Sequence, residues 1–79
     1  MVCTVFLAAT LRKAVSGYDP ATGVAASVEP GETVLDVAGR LGIRAEDVKI
    51  IMVNGIHADW DTVLRGGERI GLFPPVGGG

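Results

Sequence analysis

Apolar and polar positions alternate along the chain in blocks separated by turn-forming residues. Residues 2–9 (VCTVFLAA) are apolar and partly β-branched, which predicts a strand that begins in the core. Residues 16–23 (SGYDPATG) supply two glycines and an Asp-Pro pair, a composition typical of a loop. A second strand is predicted at residues 24–28, and we expect the two strands to form an antiparallel hairpin with a long connection.

A helix is predicted at about residues 33–41. Thr33 can cap the amides of the first turn, and Asp36 places a carboxylate near the positive end of the helix dipole. Gly42 is a natural stop after the helix. The apolar residues that follow Thr33 recur at helical spacing: Val34, Val37, Ala38 and Leu41.

The second half of the chain predicts further strands. Residues 48–53 (VKIIMV) predict a buried central strand, and Asn54-Gly55 is a strong hairpin-turn signal. A turn at residues 65–68 precedes a last strand at 69–73. The order β-β-α-β-(short β)-β predicts an α+β fold, with the β-grasp (ubiquitin-like) roll as the natural candidate. Its mixed sheet would carry one main helix on one face and an extended C-terminal tail.

Length and charge narrow the function classes. A chain of 79 residues forms one domain, which we expect at residues 1–73, followed by a flexible tail at 74–79. The net charge of −2 argues against nucleic acid as a partner. No apolar run approaches the roughly 18–20 residues that cross a bilayer. We therefore expect no membrane contact. A single cysteine, Cys3, cannot form an intramolecular disulfide, and a small domain without disulfides favours a cytoplasmic location.

The tail has two physical interpretations. The rings of Pro74 and Pro75 restrict the φ angles of these residues and favour a stiff, extended segment after the last strand, and Val76 follows them. Three glycines then allow the backbone to enter a channel too narrow for side chains. A terminal carboxylate is ionised at neutral pH, so acyl transfer from it requires activation, which ATP can supply as an acyl-adenylate. The alternative is a frayed terminus, and composition leaves the choice open.

Several segments together resemble the small ubiquitin-like sulfur carriers, namely the small subunit of molybdopterin synthase and its relatives in thiamine biosynthesis. The likeness spans nearly the whole chain. The matching segments are FLAATLRK (6–13), PGETVLDV (30–37), VNG (53–55), DWDTVLRGGERIGLFPPV (59–76) and the final Gly78-Gly79. The Phe-Pro-Pro-Val stretch is closer to the molybdopterin type, whereas Ala8 stands where those carriers often have an aromatic residue.

The resemblance implies a β-grasp protein whose terminal glycine is adenylated by an ATP-dependent (E1-like) activating enzyme and then converted to a thiocarboxylate. Gly79 matches the modified glycine, and Pro74, Pro75, Val76, Gly77 and Gly78 match the tail that threads into a partner. Arg12 and Phe73 match partner-binding positions. The implied partners are the activating enzyme, a sulfur donor, and the large subunit of molybdopterin synthase or another sulfur acceptor, with no cofactor bound to the chain itself.

Other readings of the function stay open at this point. The sulfur could serve thiamine thiazole synthesis, the activated glycine could form isopeptide bonds as ubiquitin-like modifiers do, or the domain could be an interaction module with an inert tail. No catalytic triad, acid pair or nucleotide-binding loop indicates an independent enzyme. The domain would therefore be a substrate or a non-catalytic subunit.

The remaining reactive side chains favour structural roles. Cys3 lies among apolar neighbours, which predicts a buried, inert thiol. His57, Asp59 and Asp61 superficially offer metal ligands, but one histidine without a cysteine partner favours a solvated loop, with Asp61-Thr62 organising the local turn. Trp60 and Phe73 could each be core residues, although an aromatic at the root of the tail would be a good interface residue.

Overall fold

The computed structural model describes residues 1–75, and Val76, Gly77, Gly78 and Gly79 lie outside the described part. Two 3₁₀ helices, Ala9–Ala14 and Ala45–Asp47, supplement the main elements. The strands are β1 (Val2–Leu7), β2 (Val24–Ser27), β3 (Ile50–Val53), β4 (Ile56–His57) and β5 (Arg69–Phe73), and the helix is α1 (Val34–Arg40). The predicted element order and fold class are confirmed.

The five strands form one mixed sheet in the order β2-β1-β5-β3-β4. β1 pairs antiparallel with β2, as predicted, and parallel with β5. β3 pairs antiparallel with both β5 and β4. The prediction of a central strand at residues 48–53 is wrong in position, because β5 occupies the centre and β3 begins only at Ile50. The sequence does not encode strand order directly, and β3 is as apolar as a central strand.

One side of the sheet packs against α1 and forms the core. Successive strand residues face opposite sides, and the buried set comes from alternate positions such as Cys3, Val5 and Leu7 in β1 and Ile70 and Leu72 in β5. From α1, Val34, Val37 and Ala38 are buried against them. Burial of these side chains away from water supplies the main stabilisation of the fold.

The predicted capping of α1 is confirmed. The backbone N–H of Asp36 donates to Oγ1 of Thr33 at 3.4 Å, and the N–H of Thr33 donates to Oδ2 of Asp36 at 2.9 Å. This reciprocal arrangement satisfies two donors that the first helical turn leaves unpaired. Gly42 follows the helix with φ +79°, the left-handed conformation that glycine adopts without strain.

The first strand ends two residues earlier than the sequence predicts. After Leu7 the chain turns, with Ala9 at φ +50°, into a 3₁₀ helix that buries Leu11. The pairing of β1 with β2 ends at Val5, and two side chains instead form hydrogen bonds with the main chain of Leu7 at the end of β1. The N–H of Leu7 donates to the hydroxyl of Tyr18 at 2.8 Å, and Nε of Arg12 donates to the carbonyl of Leu7 at 3.2 Å. Tyr18 thereby gives the loop at residues 16–23 a structural role.

Candidate functional site

The sheet face opposite α1 is uncovered in the described chain, and we call it the open face. Its members alternate with the buried residues along three neighbouring strands, as the register shows. It is therefore an accessible, largely apolar surface in the middle of the sheet. The open face comprises Thr4 and Phe6 from β1, Arg69, Gly71 and Phe73 from β5, and Ile50 and Met52 from β3.

Phe73 is the most exposed apolar side chain of the open face, with 40% of its surface accessible. Its ring lies back over Gly71: a methyl group placed on Gly71 would lie 3.2 Å from Cε2 of Phe73 and 3.8 Å from Cβ of Met52. The missing side chain at Gly71 thus provides the space in which the ring rests. Of the two aromatics that could each be core residues, Trp60 packs against the core, whereas Phe73 lies on an accessible surface. The contact of Phe73 with a partner stays a prediction.

A guanidinium group borders the same surface. Cζ of Arg69 lies 5.1 Å from the centroid of the Phe6 ring, within the range of a cation–π interaction. The register places Arg69 opposite Thr4, and Gly71 opposite Phe6. The open face therefore combines two aromatic rings with one cationic group.

The root of the tail is fixed up to Phe73. The N–H of Lys49 donates to the carbonyl of Phe73 at 2.7 Å, and the register pairs Phe73 with Ile50. Pro74 is half-buried and Pro75 is exposed. Both line a groove of about 590 Å³ beside the first 3₁₀ helix, together with Leu11, Lys13 and Ile43. The sheet thus directs the chain out of its centre, next to the open face.

Arg12 lies at the same end of the sheet as the tail root. Its Nε bonds to the carbonyl of Leu7, and Leu7 is the β1 residue that pairs with Leu72 of β5. The structure therefore gives Arg12 a local contact within the chain and leaves its predicted contact with a partner as a prediction. The predicted sites at Val76, Gly77, Gly78 and Gly79 lie outside the described residues.

Cys3 lies far from the tail root, at the start of β1. The side chain is 1% exposed, and its Sγ donates to Oε1 of Glu68 at 3.1 Å. Desolvation by burial, and then the hydrogen bond to Glu68, raise the pKa of the Cys3 thiol. The prediction of a buried thiol is confirmed, and the raised pKa disfavours the thiolate that nucleophilic sulfur chemistry needs.

His57 is the last residue of β4 and not part of the predicted loop, whereas Asp59 and Asp61 lie in a turn at residues 59–62. The N–H of Asp59 donates to Oγ1 of Thr62 at 3.0 Å, and the N–H of Thr62 donates to the carbonyl of Asp59 at 3.2 Å. Thr62 organises the turn as predicted, but its partner is Asp59, two residues before Asp61. Within residues 1–75 no three His, Cys, Asp or Glu side chains are grouped so that they could hold a metal ion. Across the same residues, no helix has the length and apolar character of a membrane span.

A five-stranded mixed sheet with one helix on one face, and a central strand that leads directly into the C-terminal segment, defines a ubiquitin-like β-grasp protein. The sequence profile of the ThiS family matches residues 7–79. The chain belongs to this family of small ubiquitin-like sulfur carriers, and the predicted resemblance is confirmed.

Solved structures agree with this assignment. A protein of Pyrococcus furiosus assigned as molybdopterin converting factor subunit 1 superposes with a TM-score of 0.73 and 27% identity, covering 96% of this chain and 99% of that one. Small archaeal modifier protein 1 of Haloferax volcanii superposes with a TM-score of 0.73 at 22% identity, over the full length of both chains. A second structure of that modifier gives 0.74 at 21% identity, covering 95% and 98%. Among curated proteins, none matches significantly.

Sequence reasoning missed two parts of the open face. The Arg69–Phe6 contact joins residues 63 positions apart, as their numbers show, and follows only from the parallel pairing of β1 with β5. The space at Gly71 had a signal, since glycine inside a strand marks a bulge or a close approach. The alternating pattern of β5 could have placed Arg69, Gly71 and Phe73 on one face before the structure was known.

Proposed function

We propose that this chain is a sulfur carrier whose terminal glycine, Gly79, is adenylated and converted to a thiocarboxylate that supplies sulfur for molybdopterin biosynthesis. The observation that carries the proposal is the tail root. The central strand ends at Phe73 on an accessible apolar face, and two prolines then follow it in a groove beside the first 3₁₀ helix. A partner that binds the open face would receive the tail in a defined direction, which is the positioning that acyl activation requires.

The chemistry needs two steps on the tail. The Gly79 carboxylate attacks the α-phosphorus of ATP in the activating enzyme, which forms an acyl-adenylate and releases pyrophosphate. Hydrosulfide from the sulfur donor then attacks the carbonyl carbon, the bond to AMP breaks and AMP leaves, and loss of the S–H proton gives the thiocarboxylate, in which one oxygen of the carboxylate is replaced by sulfur. Gly77 and Gly78 would let the backbone pass a narrow channel, with Pro74, Pro75 and Val76 at its entrance.

Intact mass after incubation with an adenylating enzyme, ATP and a sulfur donor tests this function. We expect a gain equal to the exchange of one oxygen for one sulfur, and no gain for a variant lacking Gly79. The deletion should leave the unfolding transition unchanged, because Gly79 lies beyond the last strand. A wild-type chain that keeps its mass under these conditions would contradict the proposal.

A second experiment identifies the acceptor of the sulfur independently of the carrier function. The thiocarboxylated chain is mixed with the large subunit of molybdopterin synthase and its pterin precursor, or with a thiazole-forming enzyme and its substrates. The proposal expects return to the original mass only in the first mixture, because the Phe-Pro-Pro-Val stretch is closer to the molybdopterin type. Sulfur loss only in the second mixture would favour the thiamine alternative.

Protein modification is a second candidate. The fold shared with small archaeal modifier protein 1 of Haloferax volcanii favours it, since the same activated glycine could acylate a lysine amine. Ladders of conjugates in cell lysates that disappear when Gly79 is deleted would support this function. Thiocarboxylation without any ladder would support the carrier function.

A further inference from the structure

Arg69 is the only Lys, Arg, Asp or Glu residue within the five strands that the structure describes. It lies on the open face, as the Phe6 contact shows. Every acidic residue of the chain lies outside the strands, although the chain as a whole has a net charge of −2. The open face therefore has the opposite sign of charge to the molecule that carries it.

The guanidinium of Arg69 has unused binding capacity in the described chain. The ion pairs found within residues 1–75 are Arg40 with Glu32 and Arg44 with Asp47, so neither involves Arg69. Stacking on Phe6 engages the face of the guanidinium and leaves its in-plane N–H donors free. Those donors match a carboxylate, which can accept two parallel hydrogen bonds from them.

Neighbouring residues fix the direction of approach. Arg69 and Phe73 lie on the same side of β5 four residues apart, which corresponds to about 13 Å along a strand. Gly71 lies between them, and the Phe73 ring rests over it, on the side toward Arg69. A matching surface must therefore offer an apolar pocket for the Phe73 ring above Gly71, and a carboxylate beside that pocket on the side of Arg69 and Phe6.

We propose that the adenylating partner docks on the open face with an Asp or Glu carboxylate placed against Arg69, so that Arg69 selects this partner by charge. The inference rests on the proposed function, because that function supplies the partner. A charge at the rim of an apolar interface acts mainly on the association rate and on its dependence on salt. Arg69 would thus govern how fast the carrier is captured, and the apolar part of the open face would hold it.

Association kinetics with the purified adenylating enzyme, measured without ATP at several salt concentrations, test the proposal. The variants are Arg69→Glu, Arg69→Gln and Arg69→Lys, with Arg65→Glu as the matched control, since Arg65 is exposed and lies outside the strands. We expect Arg69→Glu to slow association about tenfold or more at low salt. Arg69→Gln should flatten the salt dependence, Arg69→Lys should retain it, and Arg65→Glu should change the rate less than about twofold.

Two outcomes would overturn the inference: equal effects of Arg69→Glu and Arg65→Glu, or no binding of the wild-type chain. If thermal denaturation shows that the Arg69→Glu variant does not fold, the salt dependence of Arg69→Gln decides the test, because this variant removes the charge without introducing repulsion. The mass measurement on the same proteins separates this inference from the proposed function. Arg69-dependent binding without any sulfur gain would support the proposed docking surface and contradict the proposed carrier function.

Discussion

Asn54 binds the main chain of Arg69 through two hydrogen bonds. Its N–H donates to the carbonyl of Arg69 at 2.8 Å, and its Oδ1 accepts from the N–H of Arg69 at 2.9 Å. Asn54 itself has φ +53° at the start of the β3–β4 turn. The turn residue thus fixes the first residue of the central strand and, with it, the position of the cation on the open face.

Substitution of Asn54 tests this relationship. Asn54→Ala loses the side-chain acceptor and places alanine, which tolerates the left-handed conformation less well than asparagine, at positive φ. We therefore expect the free energy of unfolding to fall by about 2 kcal/mol. Asn54→Gly loses only the hydrogen bond and should cost about 1 kcal/mol. Urea denaturation measures both values. Equal losses for the two variants would show that backbone strain at position 54 contributes nothing.

Phe73 should contribute to partner binding rather than to folding. Truncation in Phe73→Ala removes an aromatic side chain that is 40% exposed, and we expect the dissociation constant for the adenylating enzyme to rise about tenfold or more. Val63→Ala is the matched control, because Val63 is 55% exposed and lies outside the strands. Calorimetric titration compares the two. A similar change for both variants would contradict the role assigned to the open face.

Substitution of Gly71 by alanine changes the same surface by a single methyl group. In Gly71→Ala the new methyl would lie 3.2 Å from the Phe73 ring, so the ring must move, and it can do so because it is accessible. We expect the free energy of unfolding to change by less than about 1 kcal/mol while binding to the adenylating enzyme weakens. Denaturation and titration of one preparation provide the comparison. Unchanged affinity would mean that the resting position of the ring is not needed for docking.

Glu68 makes stability depend on pH. Desolvation by burial would raise its pKa, but hydrogen bonds from the N–H of Arg65, the Cys3 thiol and the N–H of Gly66 outweigh this effect and lower the pKa below the ordinary 4.5. The stabilisation is therefore present above pH 4.5 and is lost as the pH falls through the lowered pKa of the folded state.

Comparison of Glu68→Gln with wild type by urea denaturation measures this contribution. At neutral pH we expect the variant to be less stable by about 1–2 kcal/mol, because the charged acceptor is lost. The difference should shrink as the pH is lowered from about 5, since protonated glutamate resembles glutamine. A difference that is constant with pH would show that the charge of Glu68 does not contribute.

Cys3 should be unreactive in the native protein. Because the side chain is 1% exposed and burial raises its pKa, we expect iodoacetamide at about pH 8 to alkylate it only when the chain unfolds. Mass spectrometry after alkylation with and without urea gives the comparison. Equal rates in both conditions would show that the start of β1 opens readily and that Cys3 is accessible.

Local chemistry explains why much of the fold could be predicted. The Thr33–Asp36 cap, the Asn54-Gly55 turn and the strand Arg69–Phe73 each depend on residues close together in sequence, and each was predicted at its position. The 3₁₀ helix after β1 was not, because FLAATLRK is apolar enough to continue a strand. The turn there is favoured by the burial of Leu11 and by the hydrogen bonds of Tyr18 and Arg12 to the main chain of Leu7.

The candidate site could be predicted only where it is local. Phe73 and the two prolines follow each other in sequence, so a partner surface at the tail root was foreseeable. The contact between Arg69 and Phe6 depends on the parallel pairing of the first and last strands, which no local pattern specifies. The predicted roles of Arg12 and of the terminal glycines remain predictions.

The position of β5 has a consequence for synthesis. Among the five strands described, β5 comes last in the sequence, yet it lies between β1 and β3. A nascent chain that has not reached Arg69 therefore lacks the strand that joins the β1–β2 pair to the β3–β4 pair, and the edges of β1 and β3 are left unpaired. Unpaired edges invite association with other chains. Completion of the sheet therefore waits for the segment that leads into the tail, and a chain released too early cannot present a finished docking surface.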